Sequence, residues 1–438
     1  MTMTGVTMTG VTMSDAATLE RRLARFRSVH APASATGRPA PGARGREMAA
    51  RLAAALDGEV VGGPDGLVVR VEPPSILVPL VRERLARLPG QPGPEARLVC
   101  LDTETTGLGT AAGTLAFLVG LGWWEGERFR RLQLVCPDHG EERALLAALE
   151  RALAGNAWLV TYNGRGFDWP LLVTRYRLHR RAAPLHAGML DLLPGVRRLF
   201  RHRIGDARLS TVERELLGIR RHDDVGGWEI PGRYLDFVHG GPAGPLAAVL
   251  AHNAEDVASL ARLLAHLDAR YADPDRRSLA PAGDLVALAR AYTREHRHAE
   301  ALGCLDDADA GLAPSSPASR ASPGAPAPSG ISRDRVRAER ARTLRRLGRP
   351  GEALAAWETL AAEGGPTAPR AWVEAAKVRE HALRDPAGAL RAAEAAARAA
   401  ERTRLRWAGD PDFETDLAAR LRRLRRRLGG GISPAPTA

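Results

Sequence analysis

Between residues 96 and 268 an apolar run, 97–101, leads directly into Asp102-Thr-Glu-Thr-Thr-Gly107. Two more apolar runs of β type follow, 115–124 and 129–135, joined by a turn at Glu125-Gly-Glu127. From there the pattern alternates: a helix over 141–154 with apolar Leu145, Leu146, Leu149 and Leu153, a strand over 158–162, a helix over 168–178, a short strand over 189–192, a helix over 210–217 and a long helix over 246–267. Neighbouring strands followed by alternating helices and strands specify an α/β fold, a mixed β-sheet flanked by helices.

The rest of the chain reads differently. Residues 1–46 form a basic segment expected to be disordered apart from a short helix over 19–30, and 47–95 form a small accessory segment with a helix and a hairpin over 59–71. Beyond residue 280 the pattern is all helical. Ala299-Glu-Ala-Leu302, Gly351-Glu-Ala-Leu354 and Ala387-Gly-Ala-Leu390 are self-similar, and a spacing in the mid-thirties resembles tetratricopeptide helix pairs. Residues 280–428 are therefore expected to be a repeat-like all-α domain, interrupted by a disordered insert at 311–330 and followed by a disordered tail at 429–438. Such arrays bind peptides or proteins; an Ala-rich bundle without a partner is the alternative.

The formal charge is +12, and Lys377 is the only lysine among 63 basic residues. A basic chain suggests a polyanionic partner, but the arginine skew also fits codon bias, and residues 96–268 are nearly neutral. Cys100, Cys136 and Cys304 are too few for a disulfide framework and sit among apolar neighbours. The longest apolar run, 114–124, is about half of the ~20 residues a membrane-spanning helix needs. The first residues lack the charged and apolar regions of an export signal, so the cytoplasm is the expected compartment.

Three acidic elements carry the chemistry. Asp102 and Glu104, two apart at a strand end, lie on the same side of a sheet. Paired carboxylates of this kind favour an oxygen-ligated Mg²⁺ or Mn²⁺. In Tyr162-Asn-Gly-Arg-Gly-Phe-Asp168, glycines permit a tight turn and Asp168 opens a helix, where it is either a functional carboxylate or an N-cap. In His252-Asn-Ala-Glu-Asp256, the spacing of four puts His252 and Asp256 on one helix face, either functional or a solvated stripe.

This ordered set resembles the motifs of the DEDD superfamily of 3′-to-5′ exonucleases, with its ribonuclease-H-like fold, and within it the bacterial YprB-type branch. Leu209-Ser-Thr-Val-Glu213 with Leu217-Gly218, and Trp228-Glu-Ile-Pro-Gly232, extend the likeness, which covers residues 96–268. The resemblance implies four metal ligands, Asp102, Glu104, Asp168 and Asp256, holding two Mg²⁺ or Mn²⁺ ions for phosphodiester hydrolysis. His252 stands four before the last Asp, where the tyrosine-type branch has its tyrosine, while the histidine-type position, five before, is Ala251. His252 is thus a candidate to orient or deprotonate the attacking water, and the departure leaves that role open.

Thr105, Thr106 and Gly107 either meet a substrate phosphate or simply form a turn. Asn163 either orients the strand end or contacts substrate. Phe167 stacks on a terminal base or belongs to the core. Asp191 is a candidate outer-shell residue, while Asp223 and Asp224 read as loop. Arg197, Arg198, Arg201 and Arg203 make a basic cluster that grips phosphates or is a solvated face. The expected function is a metal-dependent exonuclease acting on a single-stranded 3′ end of DNA or RNA, with a protein partner docking on the helices. A non-catalytic nucleic-acid-binding scaffold and a structure-specific endonuclease are the alternatives.

Overall fold

The protein is described here by a computed structural model over residues 42–107, 113–221, 224–312, 331–404 and 410–429. The helix expected over 19–30, Asp223, and nearly all of the insert and the tail lie outside the described residues. The chain divides into two units, 1–47 and 48–438; of the first, the described residues 42–47 open helix α1 (Ala43–Leu56).

The second unit is organised by one eight-stranded mixed sheet. Its strands are β1 (Glu59–Gly63), β2 (Gly66–Val71), β3 (Ile76–Leu77), β4 (Leu98–Thr105), β5 (Ala116–Glu125), β6 (Arg128–Val135), β7 (Trp158–Thr161) and β8 (Gly188–Asp191). The spatial order is β1-β2-β6-β5-β4-β7-β8, with β3 also on β6. Strands β1 to β6 pair antiparallel, whereas β7 runs parallel to β4 and β8 parallel to β7. The hairpin over 59–71, read from the sequence as accessory, extends this sheet: Val69 pairs with Val135 and Val71 with Gln133.

The helices over the α/β part are α2 (Glu142–Leu153), α3 (Asp168–Leu178), α4 (Leu192–Phe200), α5 (Ile230–Val238) and α6 (Leu246–Leu267). Those expected over 168–178 and 246–267 have those bounds. Alternation along β4 separates two cores: Val99 and Leu101 join Leu52, Leu145, Leu149 and Phe237 on one face, while Leu98 and Cys100 join Val196, Phe200, Leu260 and Leu264 on the other. All three cysteines are buried and free.

Shorter helical segments include Leu209–Val212 and Glu213–Leu217, where a helix was expected over 210–217, and the longer helices that follow are α7 (Ala282–Arg294), α8 (His298–Gly311), α9 (Arg333–Arg346), α10 (Pro350–Ala362), α11 (Ala368–Lys377), α12 (Pro386–Arg404) and α13 (Pro411–Gly429). The first of them share the second core of the sheet through Leu285, Ala289 and Leu305. Fully buried Asp284 on α7 ties the junction. It accepts from Arg203 Nε and Nη2 at 3.0 Å each and from the Tyr271 hydroxyl at 2.6 Å, with His202 Nε2 at 3.1 Å. Among the described residues no helix is long and apolar enough to cross a membrane.

Asp284 is the buried partner, whereas the Arg203 side chain is 28% exposed, so Asp284→Ala takes the acceptor from the Tyr271 hydroxyl and from a guanidinium that water still reaches. It is therefore expected to lower stability by about 1.5–3 kcal/mol in urea unfolding; a loss below about 0.5 kcal/mol would show that the junction is held by apolar packing alone.

Candidate active site

Strand β4 outruns its parallel neighbour. Leu98, Val99 and Cys100 pair with Trp158, Leu159 and Val160, and β7 ends one residue later. The edge of β4 beyond Cys100 is thus open on the β7 side, and the chain after β7 turns into that space. Asn163 takes the turn's left-handed conformation (φ +67°), which Asn tolerates better than most residues. Gly164 packs so tightly that a Cβ there would lie 2.5 Å from Thr161 Cβ. Asp191, at the end of β8, clasps the turn by accepting from the Asn163 N–H at 2.8 Å and the Arg165 N–H at 3.3 Å, and it caps α4 through the Leu193 N–H at 3.1 Å. The glycines were expected to permit the tight turn, but its left-handed position is taken by Asn163, and Asp191 positions the turn.

That turn delivers Asp168. It does not cap its own helix: the N-cap position belongs to Phe167, with no side-chain cap bond. Instead the buried Asp168 carboxylate accepts from Thr103 Oγ1 at 2.5 Å and from the Thr103 backbone N–H, which β7 leaves unpaired.

Asp102 is positioned from the other side of β4. Asp102, Gly120 and Gln133 stand in one row across β4, β5 and β6. Gly120 leaves room for Asn253 of α6 to lie over the row. Asn253 Nδ2 donates to Asp102 Oδ2 at 2.9 Å, and Asn253 Oδ1 accepts from Gln133 Nε2 at 2.9 Å. Gln133 also donates to the Leu250 carbonyl at 2.8 Å, so the buried chain is anchored to the helix backbone. Glu104, on the same face as Asp102, has no hydrogen-bond or ion-pair partner among the described residues.

One turn apart along α6, His252 and Asp256 face inward and are only 17% and 18% exposed, so the solvated-stripe alternative does not hold. His252 Nδ1 lies 2.7 Å from Asp224 Oδ1, and Nε2 lies 3.6 Å from Asp256 Oδ2. The Asp224 carboxylate and, at 3.4 Å, Arg221 Nη1 both meet Nδ1 while the Asp256 carboxylate faces Nε2, so the ring is held from both edges. Arg221 sits between these groups. It donates to Asp256, to Glu213 Oε1 at 2.5 Å and to Asp224 Oδ2 at 3.2 Å. Sequence reasoning missed Arg221, Asn253, Gln133 and Gly120; Glu213 was visible only as part of a matching stretch, and Asp224 only as a loop residue.

The electrostatics record crowding. Burial, then the charges of Asp256, Glu104 and Asp168, push Asp102 well above the usual carboxylate range, against the Asn253 hydrogen bond. Burial, then Asp256, Asp168 and Asp224, push Glu104 up to about 8. Burial pushes Asp168 up to about 6, although the Thr103 hydrogen bonds oppose it. Burial works against the Arg221 charge, but Glu213 and Asp256 outweigh it and hold the guanidinium protonated. Negative charge is thus under-compensated here, and oxygen-only donors suit a hard divalent cation. As they stand, however, Asn253 holds Asp102, Thr103 holds Asp168 and Arg221 holds Asp256, and among the described residues no three acidic or histidine side chains are gathered to cage an ion.

The secondary candidates fall as follows. The Thr105 hydroxyl donates to the Gly107 carbonyl at 2.6 Å and the Thr106 N–H to the Leu115 carbonyl at 2.9 Å, so both groups are engaged in the turn. Phe167 is half-buried and belongs to none of the apolar clusters. Asn163 is exposed. Arg203 is taken by Asp284, whereas Arg197, Arg198 and Arg201 are exposed.

Comparison with known proteins agrees with this architecture. Residues 99–268 match a family model of the RNase H superfamily, and the mixed sheet flanked by helices is a ribonuclease-H-like fold. An uncharacterized protein of Bacillus subtilis (strain 168), YprB, is 41% identical over 172 residues, which are 39% of this chain and 41% of that protein. The match therefore spans less than half of either chain.

Two outcomes follow from the geometry. A Cβ at Gly120 would lie 2.2 Å from Asn253 Oδ1 and 2.9 Å from Val257 Cγ2, so Gly120→Ala is expected to cost about 1–3 kcal/mol in urea unfolding, part of it recovered when Asn253→Ala is added. Equal losses with and without Asn253 would refute the proposed crowding. The raised carboxylates bind protons in the folded chain that the unfolded chain has already released, so stability in EDTA is expected to fall as pH rises from the ordinary carboxylate range to about 8. Glu104→Gln should raise Tm at the upper end of that window, by roughly 2–4 °C per kcal/mol relieved, and should lose this advantage near its lower end. A pH-independent difference in scanning fluorimetry would contradict the linkage.

Proposed function

We propose that this protein is a divalent-metal-dependent 3′-to-5′ exonuclease acting on single-stranded DNA or RNA. The observation that carries the reading is the mutual repulsion of Asp102, Glu104, Asp168 and Asp256, brought by a strand and two helices to one under-compensated end of a ribonuclease-H-like sheet. The 3′-to-5′ polarity rests on the order of the three acidic motifs.

In this reading the four carboxylates hold two Mg²⁺ or Mn²⁺ ions. Bound there, such ions polarise the scissile phosphate and acidify water. The protein's own groups do the rest. Asn253 and Thr103 fix the rotamers of Asp102 and Asp168. Asp224 orients His252 so that Nε2 accepts the proton of the attacking water. Phe167 offers a ring face to the terminal base beside exposed Asn163. Arg221 neutralises Asp256 in the absence of a cation and gives it up to one, keeping Glu213 and Asp224 as its partners. The same Arg221 contact favours the second reading, a nucleic-acid-binding scaffold in which an internal cation has taken the place of the metal.

The deciding experiment is degradation of 5′-labelled single-stranded DNA and RNA with Mg²⁺ or Mn²⁺. A ladder shortening from the 3′ end is expected, abolished by EDTA and reduced on the order of 10³-fold by Asp102→Asn. Cleavage of a circular strand would point to an endonuclease instead. Metal binding has its own readout: at a hundredfold excess over Kd, Mn²⁺ is expected to stabilise the chain by about 2.7 kcal/mol and Asp102→Asn to erase most of that gain. No thermal shift and no cleavage would leave the scaffold reading.

A further inference from the structure

The arginines at the C-terminal end of α4 open onto a cleft of about 1040 Å³ that runs from the α/β part to the helical part. Arg197, Arg198 and Arg201 line it on one side and Arg290 and Arg335, from α7 and α9, on the other. A second cavity, of about 310 Å³, shares Arg290 and adds Arg294, Arg342 and Arg346. The two form one track across the junction.

Apart from Arg290, which pairs with Glu339, these guanidinia have no carboxylate within 4.0 Å among the described residues, and they are exposed. Each cavity has a single acidic wall residue, Asp206 in the first and Glu339 in the second. Burial, together with the neighbouring charges of Arg198 and Arg290, depresses Arg294 below the usual arginine range. Like charges gathered without counter-ions lack an anion. Among the described residues the walls carry no Phe, Tyr or Trp, so the surface suits a repeating phosphate rather than a stacked base.

Helix α4 also connects the track to the end of the sheet that carries the acidic residues. Helix α4 begins at the residue after Asp191, which clasps the turn before Asp168, and its nine residues span about 13 Å before the arginines reach the junction. The floor of the first cavity is fixed to the same turn, because the Tyr162 hydroxyl donates to the Ala207 carbonyl at 2.6 Å.

We propose that this arginine track binds the phosphate backbone of the single strand whose 3′ end reaches the acidic site, so that α7 and α9 are part of the nucleic-acid surface rather than a peptide-docking array. The link to that site rests on the nuclease reading; the binding itself does not.

The test is fluorescence anisotropy of the full chain with a labelled oligothymidylate of about 20 nucleotides, in EDTA so that nothing is cleaved, over roughly 50 to 200 mM salt. The triple variant Arg294→Gln, Arg335→Gln, Arg346→Gln is expected to weaken binding roughly tenfold or more and to flatten the slope of log K against log salt by about 2. A control with the same loss of charge on α13, Arg422→Gln, Arg426→Gln, Arg427→Gln, is expected to stay within about twofold of the parent. All six side chains are exposed and outside ion pairs among the described residues, and matching melting curves confirm that the variants fold. Unchanged binding by the track variant overturns the proposal. So does equal weakening by both variants, or displacement of the oligonucleotide by a polyglutamate peptide as readily as by unlabelled oligothymidylate. Because binding is read without turnover, a protein that binds through the track but yields no ladder would defeat only the nuclease reading, and a ladder with indifferent track variants would defeat only this proposal.

Discussion

Four carboxylates share one partly desolvated end of the sheet, and much of the local architecture manages that repulsion. Each uncompensated charge in such a setting is expensive. Asp102 has the Asn253 amide, Asp168 has the Thr103 hydroxyl and N–H, and Asp256 has the Arg221 guanidinium. Glu104 is left without a donor, and its carboxyl rises to about 8. A binding or catalytic site is where such electrostatic strain is tolerated, since a ligand can relieve it.

The compensation depends on strand order more than on any single motif. Because β4 lies between an antiparallel and a shorter parallel neighbour, one edge of its last residues is open, and Asp168 enters there. Because β5 carries Gly120 opposite Asp102, helix α6 approaches closely enough for Asn253 to reach across to Gln133. The same helix presents His252 just before Asn253 and Asp256 about one turn after it. Asp191 and α4 connect this end of the sheet to the helical part, where Asp284 and the shared apolar core make the junction continuous with the α/β body.

Local pattern determined a good deal. Period-2 alternation put Asp102 and Glu104 on one side of a strand, and 3.6-residue periodicity found α3 and α6 at their observed bounds. Spacing of four put His252 beside Asp256. These are properties of neighbouring residues, set by backbone geometry that every chain shares.

The tertiary structure alone decided which segments meet. The hairpin over 59–71 carried no sign that it would pair with β6, because ladder partners are chosen by register across some sixty residues of chain. Nothing near Gly120 marks it as the space that Asn253 needs, and nothing near Arg221 announces two carboxylates from other segments. Asp168 read equally well as a helix cap, since an aspartate opening a helix looks the same until the strand beside it is seen to end early. Periodicity fixes which way a side chain points; long-range packing fixes what it points at, and the chemistry of a buried carboxylate depends on the second.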